Sequence, residues 1–262
     1  MSDEHPVTVG EMVSSPDAVV DLSPARVFLG RSGTAYRTST QLRLLADHAF
    51  ARDALHESLS IDEPPLSDFA TDFGLFEIST QATSLDEYLA RPDLGRRLTD
   101  ASRNALRRSA TMGADVQVVI GDGLSPRAVL AQVPSLLGPL LEAISGRGWS
   151  CGPPVFVRHC RVGVMNEIGE TLDAHNVVLL IGERPGLATA ESLSAYLAHR
   201  PRSGHTDAQR NLISNIHAAG VEPDEAVRRI VGLLELFRLQ GQSGFMVKEA
   251  GRAPSLPRPA DR

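Results

Sequence analysis

Hydrophobic and polar positions follow a helical rhythm in the first part of the chain. Between residues 25 and 110, Leu42, Leu45 and Ala49 recur at i, i+3 and i+7, which is the spacing of one apolar helix face. A second helix is expected after residues 91–98 and should run to about Ala110. The pattern predicts a helical N-terminal lobe.

From residue 111 to residue 244, apolar residues come instead in short unbroken runs. The runs at residues 116–120, 155–158 and 177–181 are rich in valine and isoleucine, and sequence of helical character separates them. Near-continuous apolar strands that alternate with helices indicate a parallel sheet covered on both faces. We therefore predict an α/β fold, namely a Rossmann-like three-layer domain with a parallel sheet, joined to the helical N-terminal lobe.

The two ends of the chain lack such patterns. Residues 1–24 are polar and acidic, whereas the last residues are rich in proline, and both compositions disfavour a packed element. The predicted segments are a flexible N-terminal arm (1–24), the helical lobe (25–110), the α/β domain (111–244) and a Pro-rich C-terminal tail (245–262).

Composition narrows the class of protein. The chain has 262 residues, of which 42% are hydrophobic and 22% charged, so a sizeable core can form. Its longest purely apolar run, residues 177–181, is far shorter than the about 20 residues of a membrane-spanning helix. The acidic start, with its first arginine at Arg26, does not resemble a secretory signal. We expect a cytoplasmic protein with no membrane partner.

Charge and cysteine content exclude further classes. A net charge of -6 argues against a nucleic-acid partner. Lys248 is the only lysine, so the chain has no P-loop, and a Schiff-base lysine is not expected. Cys151 and Cys160 are too few for a Cys-rich zinc site and are expected to stay reduced and inert. No metal site is predicted.

Ligands of open α/β sheets bind beyond the carboxyl ends of the strands, which makes the loop after the first run a candidate site. The glycines of residues 121–125 (Gly-Asp-Gly-Leu-Ser) allow close backbone approach, and the following helix N-terminus suits an anion. However, Pro126 stands where a dinucleotide-binding motif has its third glycine. Asp122 or Ser125 could equally serve only as a helix cap.

The other two strand-end loops carry no catalytic pair. His159 and Cys160 are adjacent, and neighbours in a strand point to opposite faces, so a Cys–His dyad is not expected. Glu183 and Arg184 follow a buried strand and belong either to a ligand-facing loop or to an ion pair or a cap at the domain rim. No catalytic residue is assigned, and the residues alone indicate an α/β domain that binds a ligand at its strand ends.

Seven short motifs occur in one order along the chain, and together they resemble the small (light) subunit of ethanolamine ammonia-lyase over about residues 26–244. They are residues 44–48 (Leu-Leu-Ala-Asp-His), 91–98 (Arg-Pro-Asp-Leu-Gly-Arg-Arg-Leu), 121–125, 156–158 (Phe-Val-Arg), 182–187 (Gly-Glu-Arg-Pro-Gly-Leu), 191–194 (Glu-Ser-Leu-Ser) and 213–217 (Ile-Ser-Asn-Ile-His).

The resemblance implies an adenosylcobalamin-dependent carbon–nitrogen lyase that converts ethanolamine to acetaldehyde and ammonia by a radical mechanism. It implies a large subunit, a TIM barrel, that carries the catalytic residues, and a higher-order hetero-oligomer of both subunits. It also implies a location in the cytoplasm or inside a bacterial microcompartment. Pro6, Pro16 and Pro24 disfavour the amphipathic targeting helix that some members carry at their N-terminus.

The resemblance also implies three cobalamin-contacting residues in this chain. These are Val162, through its main chain, Glu183, through its carboxylate, and Leu212, which precedes the Ile-Ser-Asn-Ile-His motif. The family pattern has a cysteine where this chain has Leu212. A contact made by the main chain would tolerate that difference.

Two other functions stay open at this point. A stand-alone α/β enzyme that binds a nucleotide at residues 121–125 would turn over without a partner. A non-catalytic assembly protein would bind its partner equally well with or without cobalamin.

Overall fold

The computed structural model describes residues 31–186 and 189–249. The predicted N-terminal arm and all but the first few residues of the predicted tail lie outside this range. The helices are α1 (Thr38–His56), α2 (Leu66–Phe73), α3 (Leu85–Ala90), α4 (Asp100–Ser109), α5 (Pro126–Ser145), α6 (Val164–Leu172) and α7 (Pro223–Gln240). The strands are β1 (Arg31–Ser32), β2 (Ala35–Tyr36), β3 (Phe76–Ser79), β4 (Gln117–Gly121), β5 (Val155–Arg158), β6 (Asn176–Gly182), β7 (Leu193–His199) and β8 (Arg210–Ile216).

Six of these strands form one sheet in the order β3-β5-β4-β6-β7-β8. The first four are parallel, whereas β7 runs antiparallel to β6 and β8 antiparallel to β7. The predicted α/β class is confirmed, but a wholly parallel sheet is wrong, because the sheet is mixed. The connections 183–192 and 200–209 are ten residues each, too short for the crossover that a parallel neighbour requires.

Helices cover both faces of the sheet, which gives three layers. On one face, Ile120, Phe156 and Leu180 pack in a core with α5 and α7. On the other face, Val119 and Leu179 pack in a second core with α4 and α6. The alternation of successive residues between two buried layers explains why β4 and β6 read as unbroken apolar runs. The sheet also takes its edge strand β3 from the segment predicted as the helical lobe.

Among the described residues, α5 alone is long and apolar enough by composition to cross a membrane. Its apolar side chains have a different explanation in the fold, because Val133, Leu137, Leu140 and Ile144 are fully buried in the core against the sheet and α7.

The helix predicted around residues 42–49 is present as α1, but its apolar stripe is not packed on this chain. Leu42 and Leu45 are 61% and 59% exposed, and in α1 only Ala54 is buried. The second predicted helix is α4, which Thr99 caps by accepting a hydrogen bond from the Ser102 amide. Helical spacing therefore predicted both helices, but it did not show which surface each of them covers.

Candidate ligand-binding site at the strand ends

The carboxyl ends of the central strands, with β7 and β8 beside them, surround a cavity of about 340 Å³, here called cavity A. Val162, Glu183 and Leu212 all line it. They come from the turn after β5, the end of β6 and the edge strand β8. The structure therefore brings the three sequence-predicted residues to one place.

Glycines allow the loop after β4 to lie directly on the end of β6. A Cβ at Gly182 would stand 2.1 Å from the Ser125 carbonyl oxygen, and one at Gly123 would stand 2.3 Å from the Gly182 oxygen. Gly123 also has a φ of 62°, a conformation that favours glycine. The Leu124 amide donates to the Gly182 oxygen at 3.1 Å. The glycines of this loop therefore allow it to approach the protein's own backbone closely.

Asp122 and Ser125, both considered as helix caps, have different roles. Ser125 caps α5, since its hydroxyl accepts a hydrogen bond from the Ala128 amide. The buried Asp122 carboxylate accepts instead from the amides of Gly123, His159 and Cys160, at 2.8, 2.6 and 2.7 Å. Burial raises the pKa of this carboxyl, against the opposing effect of the amide donors. Asp122 thereby joins the loop after β4 to the loop after β5.

A catalytic dyad of His159 and Cys160 was not expected from the sequence, and the surroundings of both residues argue against one. Cys160 is fully buried, and burial raises the pKa of its thiol well above the ordinary value. The ring of His159 stacks on Tyr88 and places Nδ1 3.0 Å from the Ala82 carbonyl oxygen. A buried thiol whose pKa is raised is a poor nucleophile.

Tyr88, on α3, also joins the loop after β4 to the loop after β5. Its buried hydroxyl lies 2.7 Å from the Gly123 carbonyl oxygen and 2.9 Å from that of Cys160. The guanidinium of Arg161 lies over its ring, 4.2 Å from the centroid. Burial is also the main cause of a raised pKa at Tyr88, so the hydroxyl stays protonated and available as a donor.

Glu183 joins β6 to the two antiparallel strands. Its Oε1 accepts from the Ser194 hydroxyl at 2.6 Å and from the Asn215 amide at 2.9 Å. Its Oε2 accepts from the Ser192 hydroxyl at 2.9 Å. The sequence left open a ligand-facing loop, or an ion pair or a cap at the rim, and among the described residues Glu183 pairs with no cation but accepts from hydroxyls and a backbone amide. The carboxylate holds β7 and β8 in place and also lines cavity A.

Val162 and Leu212 form apolar parts of the cavity rim. Val162 is half-buried, and its carbonyl accepts from the Met165 amide at 3.2 Å at the start of α6. Leu212 lies opposite Tyr196 in the β7–β8 pair and is 45% exposed. The cavity thus combines exposed apolar surface with the hydrogen-bond acceptors of Glu183.

Comparison with known families decides the affiliation of the chain. The family model described as "Ethanolamine ammonia-lyase light chain (EutC)" matches residues 15–248. The chain belongs to this light-chain family.

Relatives in several bacteria carry the corresponding name. The ethanolamine ammonia-lyase small subunit of Rhodopseudomonas palustris (strain BisA53) is 44% identical over 230 residues, which are 87% of this chain and 87% of the relative. The small subunit from Clostridium perfringens is 39% identical, over 86% of this chain and 75% of its own length. That from Clostridium acetobutylicum is 37% identical, over 87% of this chain and 91% of its own length.

Two residues of this light-chain site were missed by sequence reasoning. Tyr88 lies on a six-residue helix in the predicted helical lobe, and no local pattern indicates that α3 reaches the strand ends. Tyr196 lines the cavity from β7, a strand that was not predicted. Only the three-dimensional arrangement identifies both.

Removing the Tyr88 hydroxyl should destabilise the light chain. Tyr88→Phe leaves two buried carbonyl oxygens without their shared donor, so we expect the free energy of unfolding to fall by about 1–3 kcal/mol. Urea unfolding of the full chain measures this change. Tyr36→Phe, at a side chain that is 46% exposed, is the matched control and should change it by less than about 0.5 kcal/mol. Equal effects of the two variants would contradict the role of Tyr88.

Proposed function

We propose that this small subunit forms part of the adenosylcobalamin site of an ethanolamine ammonia-lyase, which converts ethanolamine to acetaldehyde and ammonia. Membership of the light-chain family supports the reaction. The observation that carries the cofactor role is the convergence of Val162, Glu183 and Leu212 on cavity A. Three elements that are separate along the chain supply these residues.

The residues of cavity A fit one edge of a corrin ring. The ring periphery carries methyl groups and amide side chains, which suit the mixed rim of Val162, Leu212 and Glu183. A carboxylate offers about four acceptor positions. The Oε2 atom of Glu183 has one donor, Ser192, among the described residues, so it keeps capacity for an amide N–H. Cavity A would therefore hold an edge of the cofactor, with the remainder covered by another subunit.

We also propose that the catalytic side chains belong to a TIM-barrel large subunit and that both subunits form a higher-order hetero-oligomer. Homolysis of the cobalt–carbon bond is the radical chemistry that the cofactor brings, while protein groups bind and orient it. The four parallel strands with helices on both faces support a Rossmann-like scaffold that presents its strand ends to the cofactor. The proposed location is the cytoplasm, with a bacterial microcompartment as the alternative.

Cofactor binding by the assembled enzyme tests this role. The chain is co-expressed with a large subunit, the complex is purified, and hydroxocobalamin is titrated by absorbance into the complex and into each chain alone. Tight binding should require both chains. Equal affinity of the large subunit alone would contradict a cofactor contact by this chain, and it would favour an assembly role.

Glu183→Ala should weaken cobalamin binding by the complex. Loss of a hydrogen bond to a partly buried group is worth about 1–3 kcal/mol, which corresponds to about a 5- to 150-fold rise in Kd. Equilibrium dialysis with hydroxocobalamin measures the change. Glu191→Ala, an exposed glutamate in the same connection, is the matched control and should bind as the wild type does.

A second variant separates contact from positioning at Glu183. Ser192→Ala removes one internal donor to Glu183 and leaves the carboxylate in place. If Ser192→Ala weakens binding as much as Glu183→Ala does, the carboxylate positions the rim and does not contact the cofactor. An unchanged Kd in Glu183→Ala, with the complex intact, would remove Glu183 from the site.

A further inference from the structure

A second and larger cavity adjoins cavity A. This cavity B has a volume of about 890 Å³. Arg161, Val162 and Tyr196 line both cavities, so a single ligand could extend from one into the other. Cavity B lies beside the N-terminal end of α6 and the first residue of β8, Arg210.

Buried nitrogen atoms without partners concentrate around cavity B. Four buried side-chain nitrogen or oxygen atoms lack a hydrogen-bond partner among the described residues, and three of them belong to residues that line this cavity. They are Nε of Arg161, Nε of Arg210 and Nδ1 of His205. The side chain of Arg210 is only 7% exposed. A buried guanidinium N–H without an acceptor is unfavourable, so Nε of Arg161 and Nε of Arg210 in one place indicate a site that is completed by a bound acceptor. Nδ1 of His205 donates or accepts according to the tautomer of the ring.

The charge of cavity B suits an anion. The three carboxylates that line it already have cationic partners, since Asp93 pairs with Arg91, Glu167 with Arg103 and Asp207 with Arg210. Arg96 and Arg161 also line the cavity, and neither has a carboxylate ion-pair partner within the part of the chain that the structure describes.

His205 does not add to the positive charge of cavity B. Burial and the nearby cations Arg202 and Arg210 lower its pKa, so the imidazole is neutral near pH 7 and does not itself supply the charge. The basic character of cavity B therefore comes from its arginines.

We propose that cavity B binds a phosphate-type oxyanion, with Arg210 and Arg161 as its main charged contacts. Guanidinium groups present several N–H donors in a fixed plane and bind phosphate oxygens in pairs. If the cofactor lies in cavity A, the phosphodiester of its nucleotide tail is one source of this group, and this version rests on the proposed function. A separate phosphate compound is the other source. Both sources present phosphate oxygens to the same guanidinium groups.

The test compares two corrinoids in the assembled enzyme. Cobinamide lacks the nucleotide tail and its phosphate, whereas hydroxocobalamin contains both. Binding of each is measured by equilibrium dialysis to complexes that carry the wild-type chain, Arg210→Gln or Arg161→Lys. Inorganic phosphate is titrated into the same complexes, without corrinoid, by calorimetry. Arg147→Gln is the control for charge, because Arg147 pairs with Glu235 on the surface and lines neither cavity.

For a cofactor phosphodiester, Arg210→Gln should weaken hydroxocobalamin binding about tenfold or more and leave cobinamide binding unchanged. For a separate phosphate, Arg210→Gln should abolish phosphate binding and leave both corrinoids unaffected. Arg161→Lys keeps the charge but removes Nε, so it should weaken binding of the same probes by a smaller factor. If Arg210→Gln does not fold, Arg161→Lys decides whether cavity B binds an oxyanion.

Equal weakening of both corrinoids, or unaltered binding of all three probes in both variants, would overturn the anion site. If the wild-type complex bound no corrinoid, the proposed function would fail. The phosphate titration would then still decide whether cavity B binds an oxyanion.

Discussion

Gly182→Ala is expected to lower the free energy of unfolding by about 3 kcal/mol or more. The added Cβ would stand 2.1 Å from the carbonyl oxygen of Ser125 and 2.9 Å from that of Asp122. Both neighbours are backbone atoms, so no flexible side chain can move aside. The loop after β4 would have to separate from the end of β6, and both of these elements line cavity A. Urea unfolding measures the stability loss, and hydroxocobalamin binding by the complex should fall in parallel.

Gly232→Ala is the matched control for this prediction. Gly232 lies inside α7, and a Cβ there meets no heavy atom within 4 Å. Alanine is favoured over glycine in a helix by about 0.5–1 kcal/mol, so this variant should be as stable as the wild type or slightly more stable. A loss in Gly232→Ala equal to that in Gly182→Ala would contradict the steric explanation.

Asp122→Asn is expected to destabilise the chain by about 1–3 kcal/mol. Three backbone amides donate to this carboxylate, and an asparagine side chain presents an NH₂ group to at least one of them. The loop after β5 would lose one of the two oxygens that tie it to the loop after β4, the one that accepts from the His159 amide, so corrinoid binding should weaken as well. Urea unfolding at neutral pH measures the first effect. Asp72→Asn, at an exposed position on α2, should lie within about 0.5 kcal/mol of the wild type.

The difference in free energy of unfolding between the wild type and Asp122→Asn should depend on pH. Because burial raises the pKa of Asp122 above its ordinary value of 3.8, the folded state binds the proton more tightly than the unfolded state does. This contribution to stability is full below the unfolded pKa and is lost as pH rises through the folded pKa. The advantage of the wild type over Asp122→Asn should therefore shrink as pH rises from below 3.8. A growing advantage over that range would contradict the raised pKa.

The centre of the sheet could be predicted from sequence because its strands are buried on both faces. Val118, Val119 and Ile120 are all fully buried, so their pattern is an unbroken apolar run. In β8, by contrast, Leu212 and Ser214 are exposed and only Ile213 and Ile216 are buried. An edge strand of this kind has no continuous apolar signal, and β8 was missed for this reason.

The candidate site was predicted residue by residue but not as an arrangement. Val162, Glu183 and Leu212 were identified through motifs, and the motifs carry no distances. Their convergence depends on the antiparallel return of β8 along β7, which places Leu212 opposite Tyr196. The glycines at 123 and 182 show a similar limit, because their spacing indicates close backbone approach but not which partner approaches. That partner is the protein's own chain.

Ammonia release from ethanolamine is the measurement that tests the central claim most directly. The chain and a large subunit are co-expressed and purified as a complex, and ammonia is measured with and without adenosylcobalamin, for the complex and for each chain alone. Ammonia release should require both chains and the cofactor. Release at the same rate by the large subunit alone, or no cofactor-dependent release from an intact complex that binds adenosylcobalamin, would contradict the assignment of this chain as the small subunit of an ethanolamine ammonia-lyase.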